Sequence, residues 1–266
     1  MKKITKILML AISLLVVTSG AALATPSTQI WIPSTDIQAY KTVHLGIDNY
    51  FRAASNPNSV TGRDANVMDI GLTVGVLPFE KLQMEIGFDF LSMAGNPNDN
   101  HPWSANVKLG TPEDSLFKFS PAIAVGMYNI GPSQLDDNAP LVVSGQNIVY
   151  GLVARTLPAI GAVPSLGRLS AGYYRGGARA LCDPNGGTNA NNGVLLSWDR
   201  TMSEISDKLW LAVDYMGGNN VDGAVSFGAS WAFSKNVSVI FGYGIYKEIA
   251  LAGKNTFTTQ LDINFP

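Results

Sequence analysis

Apolar and polar residues alternate along this chain with a period of two, over stretches of about nine to thirteen residues. In 66–77, Met68, Ile70, Leu72, Val74 and Val76 alternate with Asp69, Gly71, Thr73 and Gly75. In 81–91, Leu82, Met84, Ile86, Phe88 and Phe90 alternate with Lys81, Gln83, Glu85, Gly87 and Asp89. Successive side chains of a strand point to opposite faces, so this period predicts strands with two chemically different faces. Twelve such strands are predicted, at 41–51, 66–77, 81–91, 102–110, 116–128, 147–157, 166–175, 193–200, 208–216, 222–233, 237–246 and 256–265. The three between 147 and 200 alternate less cleanly, and their registers stay open. Soluble strands average roughly 5–6 residues, whereas a tilted strand crossing a bilayer takes about 9–11.

The links form a second pattern. Those at 78–80, 111–115, 158–165, 201–207 and 234–236 are mostly short. They alternate with links at 52–65, 92–101, 129–146, 176–192, 217–221 and 247–255, most of them longer and rich in Asn, Gly, Pro and Asp. Short turns at one end and long loops at the other are the asymmetry of outer-membrane barrels. With an even strand number both ends of the barrel sheet fall on the short-turn side.

Composition narrows the picture. Of 266 residues 46% are apolar and 14% charged, with a net charge of −2, which argues against a disordered or coiled-coil chain. The single Cys182 excludes a disulfide scaffold, and an acidic balance gives no basis for holding nucleic acid. Lys2, Lys3 and Lys6, the apolar run Ile7 to Val17, and small residues at Ala22 and Ala24 form a secretory signal peptide, expected to be cut after Ala24. Cleavage leaves 15 basic against 20 acidic side chains. Beyond residue 24 no run approaches the roughly 18 apolar residues of a membrane helix. The expected division is therefore a signal peptide at 1–24, a short periplasmic arm at 25–38 and a barrel at 39–266. Thr25 to Asp36 has one alternative place, inside the barrel as a plug.

The fold class expected is all-β, an antiparallel transmembrane barrel of about twelve strands. A soluble barrel would turn its apolar rows inward. Two features favour the opposite arrangement: the polar rows are rich in Gly, Ala, Ser and Thr, and aromatic residues gather at strand ends. The expected girdles contain Tyr40, Tyr50, Phe51, Phe79, Phe90, Phe117, Tyr128, Tyr150, Trp198, Trp210, Trp231, Phe233, Phe257 and Phe265.

On that reading His44, Asp48, Asp69, Lys81, Glu85, Asp89, Lys108, Lys118, Lys208, Asp214 and Asp262 face the lumen. Such ions either line an aqueous pore or pair with one another and fill it. Arg155, Arg168, Arg175 and Arg179 are candidates for a basic strip, against the alternative of pairing with lumenal acids. The two histidines, His44 and His101, belong to no catalytic motif, so no catalytic residue is assigned and an enzyme is not expected. The loop tracts 96–100 and 136–138 lack EF-hand spacing and read as solvated turns. No metal or cofactor is expected.

The chain resembles the Gram-negative outer-membrane β-barrels, through its signal peptide and the whole of 39–265. The most specific element is the final segment, residues 257–265, in which Phe257, Leu261, Ile263 and Phe265 alternate with polar residues. In that family a terminal strand of this kind is recognised by the barrel-assembly machinery. Pro266 after Phe265 departs from the usual final aromatic. The resemblance implies the outer membrane as location and its lipid as partner. It singles out no porin or enzyme family. The function expected is porin-like passive diffusion of small hydrophilic solutes. The alternatives are a closed structural or adhesive barrel acting through its loops and, more remotely, a barrel enzyme.

Overall fold

The computed structural model describes residues 27–59, 62–93, 102–132, 145–161 and 165–265. The expected signal peptide, His101 and both candidate cation tracts lie outside these residues. Twelve strands are present: β1 (Val43–Arg52), β2 (Val67–Gly75), β3 (Gln83–Met93), β4 (Trp103–Thr111), β5 (Ala122–Ile130), β6 (Ile148–Leu157), β7 (Gly167–Arg175), β8 (Asn192–Thr201), β9 (Leu209–Met216), β10 (Ala224–Ala232), β11 (Val237–Tyr246) and β12 (Thr256–Phe265). Each pairs antiparallel with its sequence neighbours, and β1 pairs with β12 from Val43↔Phe265 to Arg52↔Thr256, which closes the barrel. Closure leaves no edge strand with unpaired backbone groups.

The two faces are inverted relative to a soluble protein. Outward residues are large and apolar, and they are exposed: Leu72 at 51%, Phe88 at 62% and Phe241 at 59%. Inward residues are polar, and they are buried: Glu85 at 2%, Lys108 at 4% and Asp262 at 3%. In water such a surface would expose far more contiguous apolar area than a soluble monomer carries. In lipid it is what the solvent requires. The fold is thus consistent with an outer-membrane barrel.

Two expectations are corrected. The fifth strand starts at Ala122, six residues later than the alternation suggested. Residues 114–120 form a turn closed by the Asp114 N–H to the Ser120 carbonyl and by the Phe119 N–H to the Asp114 carboxylate, with Phe119 at φ 69°. Pro121 has no N–H to give the sheet. The apolar–polar alternation runs unbroken through this turn, which is why period alone misplaces the boundary. Second, four of the fourteen supposed girdle aromatics point inward: Tyr50, Tyr128, Tyr150 and Trp210 contact the lumen. The remainder include strongly exposed rings at both ends, among them Phe51 and Phe257 at one rim and Phe79, Phe117 and Phe233 at the other.

Leu72 lies near the middle of β2 on the outer face. Leu72→Arg should cost about 2–4 kcal/mol, the usual penalty for Arg on the lipid face near the bilayer midplane. Denaturant-dependent refolding into lipid vesicles measures it.

Candidate functional site

The lumen is occupied by the chain's own N-terminal segment. Residues 27–38, assigned by sequence to a periplasmic arm with the plug as alternative, run inside the barrel over the described part. An antiparallel bridge between Thr28 and Pro33 makes the segment a hairpin with Ile30 and Trp31 at its tip. The Gln29 N–H donates to the Ile32 carbonyl and the Ser34 N–H to the Ser27 carbonyl. The hairpin enters from the turn end and its tip reaches the loop end, where Trp31 Nε1 donates to the Asp222 carbonyl between β9 and β10.

Three groups of inner residues hold it. At the tip, Asp214 Oδ2 accepts the backbone N–H groups of Ile30, Trp31 and Ile32 at 2.8, 2.7 and 3.4 Å. Gln260 Nε2 donates to the Ile30 carbonyl at 2.7 Å. At the turn end, Arg168 on β7 makes a bidentate pair with Asp36, both bonds 2.7 Å, and reaches Asp199 on β8 through Nε at 3.0 Å. Across the lumen, Lys108 on β4 donates to the carbonyls of Ser27 and Asp36 and pairs with Glu85 at 3.0 Å, while Glu85 accepts the Gln38 N–H. Burial works against the Asp36 charge, but Arg168 and Lys108 outweigh it and hold its carboxyl below the ordinary range. Each charge-assisted bond of this kind contributes roughly 1.5–3 kcal/mol.

Glycines on the inner face make the room. A Cβ on Gly75 would lie 2.0 Å from the Ala39 carbonyl oxygen, so only glycine lets the returning strand of the hairpin pass there. A Cβ on Gly228 would sit 3.0 Å from Ile30 Cδ1. The small inner residues therefore serve close packing here rather than a wide bore.

Sequence placed eleven ionisable groups on the inner face. His44, Asp48, Asp69, Glu85, Asp89, Lys108, Asp214 and Asp262 are there. Lys81 and Lys118 instead lie exposed in turns just outside the strands, and Lys208, also in a turn, lines the mouth of the lumen at the turn end. His44 bridges Asn264, at 2.8 Å from Nδ1, and Asp262, at 3.5 Å from Nε2. The four arginines form no strip. Arg155 lies on the outer face at the turn end, paired with Glu113 and Asp114. Arg168 faces inward, and Arg175 is exposed at the other end of β7. Arg179 lies beyond β7 in the following loop.

Part of the lumen is apolar, which sequence reasoning missed. Ile148, Tyr150 and Leu152 on β6, Tyr174 on β7, Leu195 on β8 and Met216 on β9 face inward around Ile32 of the hairpin. Leu181, from the loop after β7, is fully buried against them and helps close the loop end. The poor alternation of 147–157 and 193–200 was the signal: those strands carry apolar residues on both faces.

Among the described residues, three cavities stand out beside the hairpin. One of about 530 Å³ opens at the turn end around Arg168, Asp199 and Trp210. A second, of about 160 Å³, lies along β1–β4 between His44, Asp48, Asp69 and Asp89. A third, of about 200 Å³, lies at the loop end among Trp31, Tyr50, Tyr246 and Asp222. The last two share Trp31, Asp48, Asp69 and Tyr128, so they adjoin. Among the described residues no group of three or more His, Cys, Asp or Glu is arranged to hold a metal ion.

No family model matches the chain, and no curated protein does. Solved structures of the same general fold exist. An outer membrane channel of Pseudomonas putida F1 is 13% identical, covering 86% of this chain and 96% of its own, with a TM-score of 0.46. The NanC porin is 9% identical, covering 84% and 99%, with a TM-score of 0.43. Outer membrane protein Omp33 of Acinetobacter baumannii is 10% identical, covering 86% and 100%, with a TM-score of 0.41. These are similarities of barrel architecture alone.

Two outcomes follow. Asp214→Ala should free the tip, so that amide exchange at residues 30–32 accelerates at least tenfold in hydrogen-exchange mass spectrometry. Burial raises the Asp222 carboxyl to about 6, partly offset by the hydrogen bond from Gln146 Nε2. The folded loop thus binds a proton more readily than the opened one, whose carboxyl titrates near its ordinary value. Protection of the 217–223 loop should increase as pH falls from 7 toward 5, with the change abolished in Asp222→Asn.

Proposed function

We propose that this chain is an outer-membrane channel for small hydrophilic solutes, with its own N-terminal hairpin as the constriction. One observation carries the reading: the hairpin does not fill the barrel, and two adjoining cavities run beside it along the polar β1–β4 wall to the loop end. Lipid-facing apolar rows and lumen-facing polar rows are the chemistry of a barrel that passes water-soluble molecules. The route is narrow. Solutes pass beside the hairpin along β1–β4, where the wall carries carboxylates, rather than along β6–β9, where it is apolar and tightly packed against Ile32. The same inverted faces support an outer-membrane location, with export by the N-terminal signal and insertion through the β12 row Phe257, Leu261, Ile263 and Phe265 as parts of this reading. No catalytic step is part of this reading.

The density of hydrogen bonds on the hairpin favours a second reading, a barrel closed at rest. Planar-bilayer recording separates them. The channel reading expects small discrete conductance steps from the wild type and steps several-fold larger after deletion of residues 27–38. A silent wild type with a conducting deletion variant assigns the closed resting state. A folded deletion variant without steps overturns the channel.

A further inference from the structure

The wall between the two inner cavities carries carboxyl groups that no basic side chain meets among the described residues. Asp48 and Asp69 stand directly opposite each other on β1 and β2. Like charges at facing positions of a sheet are destabilising. One rung toward the turn end the facing residues are Gly46 and Gly71, with Asp262 beside the first and Asp89 beside the second. A Cβ on Gly46 would meet only His44 Nε2, at 3.6 Å, so the floor is open there, whereas Asp89 Oδ1 lies over Gly71, 2.7 Å from where a Cβ would stand. His44 approaches Asp262 and Asn106 donates to Asp89, but Asp48 and Asp69 have no ion-pair partner among the described residues. Asp69 Oδ1 is buried without a hydrogen bond.

A second observation points to what belongs there. At the loop end Asp222 is only 9% exposed, and its Oδ2 has no hydrogen-bond partner, although it lines the cavity. The same cavity is walled by aromatic rings. Trp31 stands edge-on between Tyr50 and Tyr246, with centroids 5.3 and 5.6 Å away. Ring faces attract cations, most strongly where water is excluded. Arg52 already lies over Tyr246 at 5.7 Å, but its guanidinium is taken by the carbonyls of Ala65 and Lys254. Three carboxyl groups thus line a cavity whose one basic side chain, among the described residues, is engaged elsewhere.

We propose that the loop-end half of the lumen binds a small organic cation, a quaternary or protonated amine, its charge between Asp48, Asp69 and Asp222 and its apolar body against Trp31, Tyr50 and Tyr246. A metal ion would satisfy the carboxylates but leave the rings idle. A neutral apolar molecule would satisfy the rings but leave the buried carboxyl oxygens of Asp69 and Asp222 without a partner, which is costly. An ammonium with a hydrocarbon surface meets both. The site deepens the channel reading, since it rests on solutes entering the lumen, and it makes that passage cation-selective.

The test is isothermal titration of the folded full chain in a non-ionic detergent with choline, and with its neutral carbon isostere 3,3-dimethylbutan-1-ol. Choline is expected to bind saturably at least tenfold more tightly than the isostere. Asp48→Asn with Asp69→Asn, a nearly isosteric pair, should weaken choline at least tenfold while the circular dichroism spectrum is unchanged. Should that pair fail to fold, Asp222→Asn alone should weaken choline several-fold. Equal affinity for choline and the isostere overturns the proposal, as does choline binding unaffected in the folded variants. Binding is read without conductance, so a barrel that binds choline but never conducts would sink the channel reading alone. One that conducts but shows no preference for choline would sink the site alone.

Discussion

Every strand of this barrel serves two solvents at once, and that constraint organises the molecule. A residue on the outer row must tolerate hydrocarbon, and its neighbour on the inner row must not. The exposed Leu72 and the buried Thr73 are adjacent in sequence and opposite in environment. Because the period is two, shifting any register by one residue would put carboxylates into lipid. The closed ladder from β1 to β12 fixes all registers together. Inverting the faces creates a second problem: a twelve-stranded wall encloses a narrow space in which inner polar groups lose bulk water.

The hairpin of residues 27–38 resolves that problem for one side of the lumen. Its backbone supplies donors to Asp214 and Glu85 and acceptors to Lys108 and Gln260, so the chain's own peptide groups replace water. The ions at its turn end, Asp36, Arg168 and Asp199, form a network rather than an isolated pair. Buried ions are tolerable only when geometry and hydrogen bonding are this complete. On the β1–β3 side no basic side chain reaches Asp48 or Asp69 among the described residues. The asymmetry between a neutralised wall and an uncompensated one connects the plug to the proposed solute route and cation site.

Most of the barrel was legible in the sequence because strand alternation is local. Strands such as β11 and β12 begin and end where the alternation does. The start of β5 was not, because Phe117 and Phe119 continue the apolar period through a turn whose conformation is set by Asp114 and Pro121. Lys118 was misplaced for the same reason. Inward placement of Tyr50, Tyr128 and Tyr150 was hidden, since a ring at a strand end suits either a membrane interface or a lumenal cluster. The hairpin is least local of all: Asp214 contacts residues more than 180 positions away, and nothing in the segment 27–38 encodes that distance. Local pattern fixes faces. It does not reveal which distant segment fills the enclosed space.

Nitroxide scanning along β2 in lipid vesicles, with Cys182 replaced, tests the inverted faces most directly. Labels at 70, 72 and 74 should show high collision rates with lipid-dissolved oxygen, and labels at 69, 71 and 73 low ones. Reversed periodicity, or none, would contradict the account.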